Sequence, residues 1–152
     1  MGGQLMQDHF PKRISELRKQ KGLSMRALGK TCGVAHTTIS AYECGVMPRL
    51  DTAIRLSSAL GVSLDYLFGR SQKRGVPANG NQELFSERLR DLRTGRGLSQ
   101  VVLSELCGLG SNQGYRWEHC GNVPNIEDVA RLADFFSVSL DYLCGCSDKK
   151  GG

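Results

Sequence analysis

Two stretches of this 152-residue chain repeat one another: GLSMRALGKTCGVAHTTISAYECG and the later VSLDYLFG return 75 to 76 residues on as GLSQVVLSELCGLGSNQGYRWEHC and VSLDYLCG. Phe10, Arg13, Leu17, Arg18, Gly22, Leu23, Ser24, Leu28, Cys32, Gly33 and Glu43 recur as Phe85, Arg88, Leu92, Arg93, Gly97, Leu98, Ser99, Leu103, Cys107, Gly108 and Glu118. One inserted residue near Gly121 shifts the register, after which Pro48, Arg55, Val62, Ser63, Leu64, Asp65 and Tyr66 match Pro124, Arg131, Val138, Ser139, Leu140, Asp141 and Tyr142. The duplication overrides the prior from length, so the expectation is two domains of about 60 residues rather than one large one. The boundaries are placed at 6–71 and 83–147, with a linker over 72–82. Units this small bury only about 60% of their unfolded surface, which suits helical bundles and leaves little room for an enclosed catalytic cavity.

The hydrophobic period identifies the elements. Phe10, Ile14 and Leu17, and again Phe85, Leu89 and Leu92, fall at helical spacing with charged residues between them. Gly22 and Gly97 stop these helices, and Ser24 and Ser99 are side-chain caps for the next. A second helix runs to about Thr31 or Leu106, and Cys-Gly makes a tight turn into a third that ends near Tyr42 or Trp117. Fourth helices are expected over 50–60 and 126–136, and Ser63 and Ser139 cap short fifth ones. The fold class is therefore all-α. Between the units, RSQKRGVPANGNQ reads as a flexible, solvated linker of 13 residues. Such a segment spans about 45 Å when extended and roughly 20 Å as a coil. The separation of successive major-groove faces, about 34 Å, lies within that reach.

Charge is uneven along the chain. Over 8–71 there are ten Lys and Arg against five acids, whereas over 83–147 there are six Arg against nine acids. The first unit is suited by bulk charge to a phosphate backbone and the second is not. The start MGGQLMQDHF has no apolar core of a signal peptide, so the six cysteines are expected to be reduced thiols in the cytoplasm. No apolar run reaches the ~20 residues of a membrane span, so no membrane partner is expected.

The pattern GLS-x3-L-x3-CGV-x5-S-x-YE-x-G-x2-P-x-L, closing on GVSLDYLFG, resembles the Cro/phage-repressor (XRE-type) helix-turn-helix family, and the resemblance covers both repeats. It implies two tandem five-helix lambda-repressor-like domains and binding to the major groove of double-stranded DNA. The physical basis is general: a helix about 10–12 Å across fits the major groove, where each base pair presents a distinct set of donors and acceptors. On the family pattern, Arg18, Lys21 and Arg26 supply phosphate affinity with Ser24 in the same DNA-binding set, His36 and Thr37 read bases with Ala41 one turn later, and Thr38 and Ser40 lie near the backbone, while Ile39 and Tyr42 point inward. In the second unit Ser111, Asn112 and Arg116 take the reading positions with Gln113 beside them, and Arg93, Ser99 and the phosphate-gripping Gln100 belong to the same DNA-binding set. Asn pairs with adenine and Arg with guanine through two hydrogen bonds each, so the less basic unit carries the better readers. The implied function is a bacterial or phage-type transcription regulator, a repressor, reading two adjacent unlike half-sites as an intramolecular pseudo-dimer.

Both repeats depart from the family pattern. Met25 replaces a phosphate-gripping Gln that Gln100 keeps, and Ala35 removes the cap of the first recognition helix. Gly114 stands where Ile39 plugs the first core, and Tyr115 is expected either to swing in as compensation or to mark a slipped register. Val101, Val102 and Leu106 make an apolar stripe where charge is usual. These features support a second reading, in which the first unit binds DNA while the second mediates homodimerisation or holds a protein partner, as an antitoxin or antiactivator does. His119-Cys120 and Cys144-x-Cys146 lack the paired C-x2-C spacing of zinc sites, so no metal or other cofactor is expected. His9, His36 and His119 lie far apart with no nucleophile pattern around them, and the chain is not expected to be an enzyme.

Overall fold

The computed structural model describes residues 2–77, 79–110 and 112–150. These residues form ten helices, five per repeat. The first unit comprises α1 (Gly2–Gln20), α2 (Met25–Cys32), α3 (His36–Glu43), α4 (Leu50–Leu60) and α5 (Leu64–Leu67). The second comprises α6 (Gln82–Gly95), α7 (Gln100–Leu106), α8 (Gln113–His119), α9 (Ile126–Phe136) and α10 (Leu140–Leu143). Among the described residues the only β-type pairing is an isolated bridge between Arg49 and Asn125. No helix there is long and apolar enough to cross a membrane.

Local chemistry fixes the boundaries. The hydroxyls of Ser24, Ser63, Ser99 and Ser139 each accept the backbone N–H three residues on, which satisfies an otherwise orphaned donor. Gly33 and Gly108 make the turn into the third helix with φ of +72° and +68°, a left-handed conformation that costs glycine little. At the end of α4 Gly61 does the same at +73°, but its counterpart after α9 is Ser137 at +56°.

The buried apolar residues of the two units belong to one hydrophobic cluster. Phe10, Ile14 and Leu17 of α1 pack with Leu28, Ile39, Leu56 and Leu64, and the Phe10 ring stacks on Phe68 at 4.5 Å. In the second unit Phe85 meets Trp117 edge-on at 6.1 Å, while Cys144 occupies the buried position of Phe68. Fully burying one such large apolar side chain is worth about 1.5–3 kcal/mol, so this burial supplies most of what holds each bundle.

The units also pack on each other. Leu50 N donates to Pro124 O at 2.9 Å and Ile126 N donates to Pro48 O at 3.1 Å. Leu64 N and Asp65 N donate to the Asp141 carboxylate at 2.9 and 3.0 Å, and Leu140 N and Asp141 N return the contact to Asp65 at 3.0 Å each. Contacts of this kind, in which each residue meets the counterpart of its own partner, are the signature of a two-fold axis. Here the axis is approximate and lies within one chain, between the loops after α3 and α8 and between α5 and α10. Helix α1 and helix α4 pack on α9, and Arg70 reaches Asp134 at 2.6 Å.

Residues 72–77 and 79–81 are non-helical and Gln82 opens α6, and the segment is tied down where it leaves the first unit. Ser63 N donates to Arg74 O at 2.7 Å, the Arg74 guanidinium donates to Gln20, and Arg13 donates to the Ser71 carbonyl and to Gln72. Its far end passes close over α10, where Gly80 lies against the Cys144 carbonyl and the Cys146 sulfur.

Candidate nucleic-acid interface

The residues that the family resemblance sets against DNA lie mostly at the start of the second helix and along the third helix of each unit. In the first unit, Ser24 and Arg26 are exposed at the start of α2, and His36 and Thr37 are exposed on the first turn of α3. Thr38 and Ser40 are half-buried beside them, whereas Ile39 and Tyr42 point into the core. The Ser24 hydroxyl accepts from Ala27 N at 3.0 Å, which leaves its own O–H free to donate outward. Ala35 sits at the cap position with extended backbone and no side-chain bond to the helix, so the first turn of α3 lacks the support that Ser24 gives α2.

Arg18 and Arg93 correct the sequence expectation. Both point inward. Arg18 donates to Glu43 at 2.7 and 3.2 Å and to Leu23 O at 2.9 Å. Arg93 donates to Glu118 at 2.8 Å twice and to Leu98 O at 2.8 Å. The glutamates hold both guanidiniums above their usual pKa against the opposing effect of burial. With their forks occupied, these arginines fasten the first helix of each unit to the third and are not available to a phosphate. The recurrence of Arg18 with Glu43 as Arg93 with Glu118 was the sequence signal that could have revealed the pair. Lys21 lies at the end of α1 with its ammonium against Gly61, beside the last carbonyls of α4.

The second unit differs where the sequence breaks pattern. Helix α8 begins at Gln113, the counterpart of Thr38, so it starts two residues later than α3. Asn112 is exposed just before the helix with no side-chain bond to it, and Gln113 is half-buried. Ser111 lies outside the described residues. The late start has a local cause: Gly108, Gly110 and Gly114 surround the segment, and each glycine weakens helix formation by roughly 1 kcal/mol.

Gly114 itself is buried, and the space of the missing Ile39 side chain is closed by α7. Gln100 and Ser104 approach to 3.5 Å from where a Gly114 Cβ would stand. Tyr115 does not swing in to fill the space; it is exposed and lies over His119 with centroids 4.4 Å apart. Gln100 Nε2 is 3.1 Å from His119 Nε2, so the residue expected to grip phosphate is partnered within its own unit. Arg116 is exposed and makes no ion pair among the described residues. Ser99 is exposed and caps α7 through Val102 N at 3.1 Å.

Two further features distinguish the units. Arg26 and Lys30 on α2 are replaced on α7 by Val101 and Glu105. Val101, Val102 and Leu106 are 55%, 41% and 57% exposed, so neither the core nor the first unit covers them. Burial drives the thiols of Cys32, Cys107 and Cys144 upward and pushes Cys146 up to about 11, so these sulfurs stay protonated at neutral pH. Among the described residues no three potential metal ligands stand together.

A helix-turn-helix family profile matches residues 14–67, and a helix-turn-helix domain profile matches residues 84–143. Among curated relatives, the HTH-type transcriptional activator BcrR of Enterococcus faecalis is 37% identical over 59 residues, 39% of this chain and 29% of that protein. The HTH-type transcriptional regulator PuuR of Escherichia coli is 37% identical over 67 residues, 43% of this chain and 36% of that protein. The cryptic phage CTXphi transcriptional repressor RstR of Vibrio cholerae is 34% identical over 65 residues, 43% of this chain and 59% of that protein. The chain thus spans less than two thirds of the length of each relative. No solved structure matches it.

Proposed function

As the chain belongs, in both halves, to the XRE-type helix-turn-helix family, we propose that it is a sequence-specific transcriptional repressor that reads two unlike half-sites with its two units. The observation that carries this reading is the reciprocal interface. Asp65 and Asp141, like Pro48 and Pro124, exchange equivalent contacts across an approximate two-fold axis, and B-DNA offers a matching axis at every base pair and base step. Two recognition helices related in this way would meet half-sites in inverted orientation. Because the reading residues differ, the half-sites should differ in sequence.

In the first unit His36 and Thr37 would contact base edges, with the Ser24 hydroxyl and Arg26 on flanking phosphates. Arg26 and Lys30 supply charge there that the second unit lacks, so the first unit would dominate the salt dependence of binding. In the second unit Arg116 and Asn112 are the readers. A bidentate Arg–guanine pair is worth about 1–3 kcal/mol of discrimination, a few-fold to over a hundredfold in affinity. Tight occupancy of such a site would exclude other proteins from it, which is the simplest route to repression.

A second reading is favoured by one observation, the exposed stripe of Val101, Val102 and Leu106. There the second unit serves to pair with the first and to hold a protein partner, and only the first unit touches DNA. Selection of bound sequences from a random pool separates the two. Two different inverted motifs at one fixed spacing support tandem reading; a single motif, or a symmetric palindrome, overturns it.

A further inference from the structure

Each unit contributes one buried aspartate to the centre of the approximate two-fold axis, and each aspartate caps the other unit's short helix. Asp65 and Asp141 are both buried, each accepting two backbone N–H groups from the opposite unit. The carboxylates thereby satisfy N–H groups at the start of α5 and α10 that would otherwise be left without partners. Asp65 N donates to the Asp141 carboxylate and Asp141 N to that of Asp65, so two groups that carry negative charge in water stand close together out of water.

The surroundings compensate only one side. Arg70 Nε lies 3.5 Å from Asp65 Oδ1, but the same guanidinium is shared with Asp134 of α9. The repeat counterpart of Arg70 is Cys146, so Asp141 has a neutral thiol where Asp65 has an arginine. Cys144, also protonated, lies beneath, and Lys73 and Lys149 stand on the wall of the cleft beside the pair. Arg13 and Arg88 bind the carbonyls of Tyr66 and Tyr142 behind it, with their guanidiniums over the two tyrosine rings.

We propose that the Asp65–Asp141 pair is a proton-operated latch between the two units. With one proton on the pair, a hydrogen bond between the facing carboxyls adds to the four backbone contacts and fixes the angle between the units. With none, the two carboxylates repel across the axis, with an arginine beside Asp65 alone, and that angle loosens. The direction of titration agrees. Burial raises Asp141 to about 7, helped by the hydrogen bond and charge of Asp65 and opposed by the N–H donors of Leu64 and Asp65. A carboxyl raised in the folded state stabilises most below its unfolded value near 4, and this contribution is lost as pH rises through 7. The inference stands on the interface alone and holds whether or not the second unit reads DNA.

The test is a carbon-detected NMR titration of the aspartate carboxyls of the intact chain, with small-angle X-ray scattering at each end of the range. One carboxyl should titrate near pH 7, and the radius of gyration should grow above that midpoint. Cys146→Arg, which restores the missing counterpart of Arg70, should weaken proton binding about tenfold and keep the compact profile in alkali. Asp65→Asn, which removes one of the two charges, should also stay compact throughout and serves if Cys146→Arg does not fold. Ordinary carboxylate midpoints for every aspartate, or a scattering profile unchanged across the wild-type titration, would overturn the proposal. So would a Cys146→Arg chain that titrates like wild type, or an Asp65→Asn chain that still expands.

Discussion

Replacing Gly114 by alanine should stabilise the second unit, and the same change at Gly29 should destabilise the first. Both glycines are buried inside helices, so each substitution gains about 1 kcal/mol of helix propensity. They differ in what the new methyl meets. At Gly114 the nearest atoms, in Gln100 and Ser104, lie at 3.5 Å, ordinary contact distance. The methyl adds up to about 0.8 kcal/mol of apolar burial, for a net gain of roughly 1–2 kcal/mol. At about 2–4 °C per kcal/mol for a chain of this size, the melting temperature should rise by about 2–8 °C. At Gly29 the methyl would stand 2.6 Å from the Val34 carbonyl oxygen, and that backbone is fixed because Val34 N donates to Gly29 O at 2.8 Å. Overpacking against an atom that cannot move costs about 1–3 kcal/mol and should outweigh the propensity gain. The fluorescence of Trp117, the one tryptophan, reports unfolding of the second unit, and far-ultraviolet circular dichroism reports both. A Gly114→Ala chain no more stable than wild type, or a stabilised Gly29→Ala chain, would refute the account of how α7 closes on α8.

Two further changes follow from comparing the repeats. Ala35→Ser should add about 1 kcal/mol by giving α3 the cap it lacks, since the backbone at Ala35 is already extended as a cap requires; thermal unfolding checks it. Ser137→Gly should gain roughly 1 kcal/mol, because a residue with a Cβ now holds the left-handed conformation that Gly61 supplies in the first unit; the gain should be visible in the urea midpoint with an unchanged slope.

Sequence made the helices legible because their signals are local. Serine caps, the Cys-Gly turns and the apolar spacing of Phe10, Ile14 and Leu17 gave nearly every boundary, and both fourth helices fall where expected. Side-chain direction was legible only in part. His36, Thr37 and Arg116 lie exposed as the family pattern implies, but Arg18 and Arg93 read as phosphate ligands because charge in a sequence does not show which way a side chain turns. The approach of α7 to Gly114 was beyond a residue-by-residue reading, since it depends on two elements shifting together. The exchange between Asp65 and Asp141 was hidden for another reason. In either repeat alone an acidic residue in the first turn of a helix is unremarked, and only the pairing of the two units brings the carboxylates face to face.

The central claim is that both units touch one duplex, and hydroxyl-radical footprinting of the intact chain on its selected site, beside Arg116→Ala, tests it most directly. The account predicts two protected patches on one face of the duplex, about one helical turn or ~10 base pairs apart, with the second patch fading in Arg116→Ala. A single patch covering one half-site, identical in the wild type and the variant, would contradict it.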